Sequence, residues 1–287
     1  MTLFTAEGLL RTEVGADPVP ALRQAYLRWL DTQRRESPGP DPDGWLLAQP
    51  FLYAVRAPGN ACLSGLDRQA REYLPARRLG EPGLVNPQSK GCGAVMRSAP
   101  FGLIGLGPDA AFTTAARAAQ LTHGHPTGYI AAGAFAALID RVAGGVDLPT
   151  AVQQTIAQLT DVPAAGETVQ ALVWAVEVSQ KRLNPIWVEQ VGGGWVAEEC
   201  LAIAVCCSLY AARSGDVRGA LLLSVNHSGD SDSTGAVTGN LLGASQGAAA
   251  LPQDWVSAVE GRAVLIRVAD DLVAAFGPPG NGRHERG

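Results

Sequence analysis

The chain has no run of basic residues, no cysteines paired at metal-ligand spacing and no apolar stretch long enough to cross a bilayer. Each absence removes a class of protein. With 22 Lys and Arg against 27 Asp and Glu, a formal net charge of -5 and no basic block, it lacks the electrostatic footprint of a nucleic-acid binder. No run approaches the ~20 apolar residues of a membrane span, so no membrane partner is expected. The five cysteines, Cys62, Cys92, Cys200, Cys206 and Cys207, are odd in number and follow neither a zinc nor a disulfide spacing. Cys200, Cys206 and Cys207 fall in an apolar helical stretch and are predicted as small core residues. The opening residues, MTLFTAEGLLRTEVG, lack the basic start, apolar centre and small-residue cleavage site of a secretory signal, which predicts a cytoplasmic protein. Charged residues make up only 17% against 47% hydrophobic, a globular composition whose partners are small molecules or proteins.

What the chain does have is helix. Alanine and leucine recur at 3.6-residue spacing over 1–11, 17–33, 108–121, 126–142, 148–159, 167–181, 195–213, 216–225, 233–249 and 253–276, with Gly or Pro at nearly every boundary. No alternating β-branched run stands out. The proline-rich stretch ESPGPDPDG at 36–44 is too short for a domain linker. These features predict one all-α domain over 1–276, large enough to bury its own core, followed by a flexible tail at 277–287.

Several stretches could carry chemistry. In SKGCGAVMRSAPFG, 89–102, Gly91 and Gly93 let the backbone approach a ligand, the following apolar run predicts a helix amino terminus suited to an anion, and Arg97 could add charge. The same glycines could equally allow close helix packing, and they match neither the P-loop nor the dinucleotide fingerprint. His123 and His125 in LTHGHP stand two residues apart with no zinc-protease pattern, so a helix junction accounts for them. Glu198 and Glu199 open a helix, where the macrodipole favours them. The sharpest signal is HSGDSDSTGAVTGN at 227–240, whose alternating aspartates and hydroxyls suit a hard cation such as magnesium or manganese. An EF-hand is ruled out because Leu241 stands where the bidentate glutamate belongs. A helix capped by Ser233 or Thr234 explains the loop as well as a cation cage does.

Taken together, RAPGNACLSGL (56–66), SKGCGAVMRSAPFG, LTHGHPTGYIAAG (121–133), GGWVAEECLAIA (193–204) and HSGDSDSTGAVTGNLLGA (227–244) resemble, in order and spacing, the ADP-ribosylglycohydrolase family. This family includes the dinitrogenase reductase-activating glycohydrolases. The resemblance implies an all-α orthogonal bundle whose cleft holds two Mg2+ or Mn2+ ions. It also implies metal-dependent hydrolysis at the ribose anomeric carbon of ADP-ribose joined to a protein or other acceptor. By position, Asp230, Asp232 and Ser233 resemble the carboxyl-terminal half of the metal site. Ser89, Lys90, Gly91, Cys92 and Gly93 resemble the loop around the diphosphate and ribose, His123 resembles a substrate-contacting histidine, and Asn60 lies in the turn lining the adenosine side.

The chain begins at what resembles the methionine ending the family's Thr-Asp-Asp-Thr-x-Met motif. That motif supplies the other half of the metal site, and the family's catalytic glutamate precedes it, so the resemblance assigns no catalytic residue here. The expectation is that Met1 is an internal methionine preceded by roughly fifty further residues, since the first helix also opens without a cap. Two alternatives follow for a chain without that half: an ADP-ribose-binding pseudoenzyme, or a protein that plugs the cleft of an ADP-ribosyltransferase.

Overall fold

In the computed structural model, which describes residues 1–277, the described residues form fourteen α-helices and no strand. The amino-terminal helices are α1 (Thr2–Leu10), α2 (Pro18–Thr32), α3 (Asn60–Arg71), α4 (Ala99–Leu103) and α5 (Pro108–Ala119). The middle of the chain forms α6 (Pro126–Ala143), α7 (Leu148–Thr160), α8 (Gly166–Ser179), α9 (Pro185–Glu189) and α10 (Ala197–Ser214). The last are α11 (Val217–Val225), α12 (Ser231–Gln246), α13 (Gln253–Ala258) and α14 (Arg262–Phe276). Their starts follow capping chemistry. Asp17, Asp147, Asn184 and Asp216 each accept a hydrogen bond from a first-turn N–H, and a proline occupies the first turn in α2, α7 and α9.

Two helices organise the rest. α6 and α10 are apolar on nearly every side and are buried accordingly, as a helix without a polar face must be. Around them α7, α8 and α12 contribute to one hydrophobic cluster, while α1, α2, α3 and α14 contribute to a second. α6 joins the two, with Phe135 in the first and Ala136 in the second. Cys200, Cys206 and Cys207 are fully buried in α10, as their setting predicted. Among the described residues no helix is long and apolar enough to cross a membrane.

The helical sequence expectation holds, except that the short α9 falls outside every predicted helix and that four further differences have local causes. Residues 60–71 form α3 although no periodicity announces it, because its inward face is Cys62, Gly65, Leu66 and Gln69, of which only one is a large hydrophobe. α10 starts at Ala197, not Trp195, because Val196 is held extended by a bridge to Gly91. α12 starts at Ser231, so Ser233 and Thr234 lie inside the helix and do not cap it. The run 253–276 is two helices, divided at Gly261, whose φ of +69° no continuing helix can hold. The predicted tail lies outside the described residues beyond Gly277.

Close packing on α6 makes a direct test. A Cβ on Gly102 of α4 would stand 2.6 Å from the Asp140 nitrogen and 2.7 Å from the Ile139 Cβ, against backbone that cannot yield. Gly102→Ala is expected to lower unfolding free energy in urea by about 1–3 kcal/mol. Gly166→Ala, at the first position of α8 with open space around it, should stay within about 0.5 kcal/mol of the parent.

Candidate functional site

Three polar loops meet where α6, α10 and α12 begin. The loop 89–93 is stitched to 195–197 by the Cys92 N–H donating to the Trp195 carbonyl at 3.2 Å and the Ala197 N–H donating to the Lys90 carbonyl at 2.8 Å. The Asp230 N–H donates to the Gly193 carbonyl at 2.8 Å, which brings the third loop alongside the second. At the head of α6, His125 accepts from the Thr127 N–H through Nδ1 at 3.2 Å, and its own N–H donates to the Ser89 carbonyl at 3.3 Å. These bonds bring the amino termini of α6, α10 and α12, each carrying partial positive charge, alongside the 89–93 and 193–197 segments.

Two residues hold these loops in shape: Asn86, which the sequence reading passed over, and Glu199, for which it gave only a helix-end role. Asn86, at φ +45°, donates through Nδ2 to the Ala61 carbonyl at 3.0 Å and the Thr122 carbonyl at 2.9 Å. Its own carbonyl accepts from Ser89 and Gly124, so one side chain and one carbonyl tie α3, the 89–93 loop and the His123 segment together. The Asn86-Pro87 dipeptide, a turn former, was the available signal. Glu199 Oε2 accepts from the Gly193 and Gly194 N–H groups at 3.0 and 3.2 Å and fixes the glycine turn before α10. Its work exceeds the macrodipole interaction expected for it.

Asp230 and Ser233 are buried, and Asp232 is exposed. Asp230 occupies the N-cap of α12 without making the side-chain cap bond, because its carboxylate is engaged elsewhere. The Cys92 thiol donates to Asp230 Oδ2 at 3.1 Å and lies 3.4 Å from Ser233 Oγ. A hydrogen bond to Asp230, burial and the Asp230 charge together push the Asp232 pKa up, the signature of two carboxylates crowded into one place. Among the described residues no group of three or more His, Cys, Asp or Glu side chains is arranged to hold a metal ion. Two carboxylates and a hydroxyl nevertheless fit a small hard cation, which commonly takes one or two protein carboxylates and fills its other positions with water and ligand oxygens.

The remaining predicted residues are distributed unevenly. His123 is buried under the loop, with its Nε2 3.7 Å from where a Cβ on Gly91 would stand. Asn60 is exposed in the first turn of α3, and its side chain makes no hydrogen bond among the described residues. Arg97 does not face the loop as a free charge: it is buried against the Tyr26 ring, 4.6 Å from its centroid. The Lys90 ammonium donates to Glu167 Oε2 at 2.7 Å and Glu198 Oε1 at 2.6 Å. Burial works against the ammonium, but the hydrogen bonds to the two glutamates outweigh it and raise the Lys90 pKa. The bonds from Lys90 and Thr127 hold Glu167 below its ordinary value.

Lys90 thus serves as a strut between the loop, α8 and α10. Lys90→Met strands the buried Glu198 carboxylate and is expected to cost roughly 2 kcal/mol at neutral pH, less than a fully buried pair because Lys90 is partly exposed. Adding Glu198→Leu should recover much of that loss. The strut's contribution is complete from above the ordinary Glu value of 4.5 up to the ordinary Lys value of 10.5. It falls away as acid protonates Glu167 below 4.5 and as alkali neutralises Lys90 above 10.5. Urea titrations of parent and variants across pH read both limits.

Comparison with known proteins places this arrangement. The chain is 24% identical over 239 residues to the ADP-ribosyl-[dinitrogen reductase] glycohydrolase of Rhodospirillum rubrum, an alignment covering 81% of this chain and 69% of that protein. A solved structure titled ADP-ribosylglycohydrolase-related protein complex superimposes with a TM-score of 0.65 at 25% identity, covering 96% of this chain and 80% of that one. The family model described as ADP-ribosylglycohydrolase matches residues 1–282. The helical fold, the three converging loops and that whole-length match agree, and the chain belongs to the ADP-ribosylglycohydrolase family.

Proposed function

We propose that the chain removes ADP-ribose from a modified protein by hydrolysing the bond at the ribose anomeric carbon, with a divalent cation, Mg2+ or Mn2+, held by Asp230, Asp232 and Ser233. The observation that carries this reading is that the 89–93 loop, at the heads of α6 and α10, and the carboxylate pair heading α12 come together through backbone hydrogen bonds. One side suits an anion and the other a cation, which is what a diphosphate joined to a ribose diol requires.

The parts divide the work. The Gly91 N–H makes no hydrogen bond among the described residues and is open to a diphosphate oxygen, supported by the positive ends of α6 and α10. Binding there, away from the reacting carbon, holds the ribose in register. Ser89, Cys92 and Gly93 shape the loop, Lys90 braces it, and Asn60 borders the adenosine side. Asp230, Asp232 and Ser233 would hold the cation, whose charge would supply orientation for the ribose hydroxyls and a more acidic water. The Cys92 thiol keeps one oxygen of Asp230 occupied, which sets the direction the other presents. The Rhodospirillum rubrum relative is named for acting on an ADP-ribosylated protein, which supports a protein acceptor here.

Release of free ADP-ribose from a mono-ADP-ribosylated protein measures the activity. Asp230→Asn and Asp232→Asn should each slow release at least as much as the roughly 10–100-fold cost of disturbing a metal's outer-shell partners. EDTA should do the same, with recovery on adding Mg2+ or Mn2+. Release that ignores both EDTA and Asp230→Asn sinks the cation site.

A further inference from the structure

The cation of Arg97 is 2% exposed and, among the described residues, pairs with no carboxylate. Its partners are neutral. It packs on the Tyr26 ring, whose hydroxyl meets Thr5 Oγ1 at 3.0 Å. Its Nη1 reaches the sulfurs of Cys62 and Met1, and its Nη2 donates to Thr122 Oγ1 at 2.7 Å and to the Ala118 carbonyl at 3.4 Å. A buried guanidinium with neutral partners is costly, and its unneutralised charge acts on the next group.

That next group is His123, whose Nδ1 lies 2.7 Å from the same Thr122 Oγ1. A guanidinium can only donate, so Thr122 Oγ1 accepts from Arg97 and keeps one proton to give. Two acceptors compete for it: His123 Nδ1 at 2.7 Å and the Ala119 carbonyl at 3.4 Å. The nearer one takes it, and polarisation by Arg97 makes the hydroxyl a stronger donor. The opposite arrangement, in which the hydroxyl accepts from both the guanidinium and an Nδ1–H, would leave its proton only the longer and weaker bond to the Ala119 carbonyl at 3.4 Å. The shorter bond thus favours an accepting Nδ1 and a ring proton on Nε2.

Nε2 faces the functional loop. A Cβ on Gly91 or Gly93 would stand 3.7 or 3.5 Å from it, and it makes no hydrogen bond among the described residues. We propose that Arg97 and Thr122 are positioning residues that fix His123 as the Nε2–H tautomer, so that His123 meets the ligand of the 89–93 loop as a hydrogen-bond donor. Burial, reinforced by the Arg97 charge, pushes the His123 pKa down to about 3, which keeps the ring neutral. The ligand side of this inference rests on the proposed function, because the occupant is taken to be the ADP-ribosyl group. The tautomer does not.

Long-range proton–nitrogen correlation spectra of protein labelled at its four histidines read the tautomer directly, with His123→Gln giving the assignment. The parent should show a protonated Nε2 and an acceptor Nδ1 at His123. Thr122→Val, which keeps shape and removes the hydroxyl, should shift or mix the tautomer, whereas Thr122→Ser should preserve it. In calorimetry Thr122→Val should weaken ADP-ribose binding about fivefold to tenfold, the loss of roughly one hydrogen bond, with Thr122→Ser within about twofold of the parent. A proton on Nδ1 in the parent, or a Thr122→Val protein with unchanged tautomer, overturns the proposal. Because the parent spectrum needs neither ligand nor turnover, it decides the tautomer even if Thr122→Val does not fold. A parent that fails to bind ADP-ribose would count against the proposed function alone.

Discussion

Three backbone hydrogen bonds between distant parts of the chain set up everything at the site: Cys92 to Trp195, Ala197 to Lys90, and Asp230 to Gly193. Each contributes only about 1 kcal/mol net, too little to hold three polar loops together unaided. They persist because the segments they join are the 89–93 loop and the leading ends of α10 and α12, and Cys92 and the bodies of both helices are locked in one apolar cluster. Burial of alanine-rich helices therefore fixes the distance between a loop suited to an anion and a carboxylate pair suited to a cation.

The charges around those loops have separate duties. Glu199 is taken up by two glycine N–H groups and Glu198 by Lys90, so both serve the frame. Asp230 and Asp232 have no basic partner among the described residues and instead crowd each other. Carboxylates taken up by Lys90 or by backbone N–H groups hold the fold, and the pair with no basic partner is the one that the proposed function gives to the cation. The same division holds for positive charge. Arg97 and Lys90 are both committed to internal contacts, so in the proposed function the anion falls to helix ends and backbone N–H groups.

Helix existence was legible wherever a wide apolar face recurs, as in α2, α5, α6, α7, α8, α10 and α11. It was illegible in α3, whose buried face includes glycine and glutamine and so carries little periodic signal. Around the site, the glycines and aspartates stood out by type. The roles of Asn86, Glu198 and Thr122 did not, because each depends on a partner dozens of residues away. Lys90 illustrates the limit: a lysine in a glycine loop suggests an anion, while its actual contacts are two glutamates more than seventy residues downstream.

By itself the sequence determined an all-α chain, a shortage of basic charge, and a carboxylate- and hydroxyl-rich loop ahead of a helix, since periodicity and local chemistry are properties of neighbouring residues. Only the tertiary structure decided that α12 begins at Ser231 with Asp230 turned toward Cys92, and that His123 lies beneath Gly91 and Gly93 with its Nδ1 occupied. Those outcomes depend on hydrogen bonds across long sequence separations, and such bonds exist only after helix packing has brought the donors and acceptors within reach.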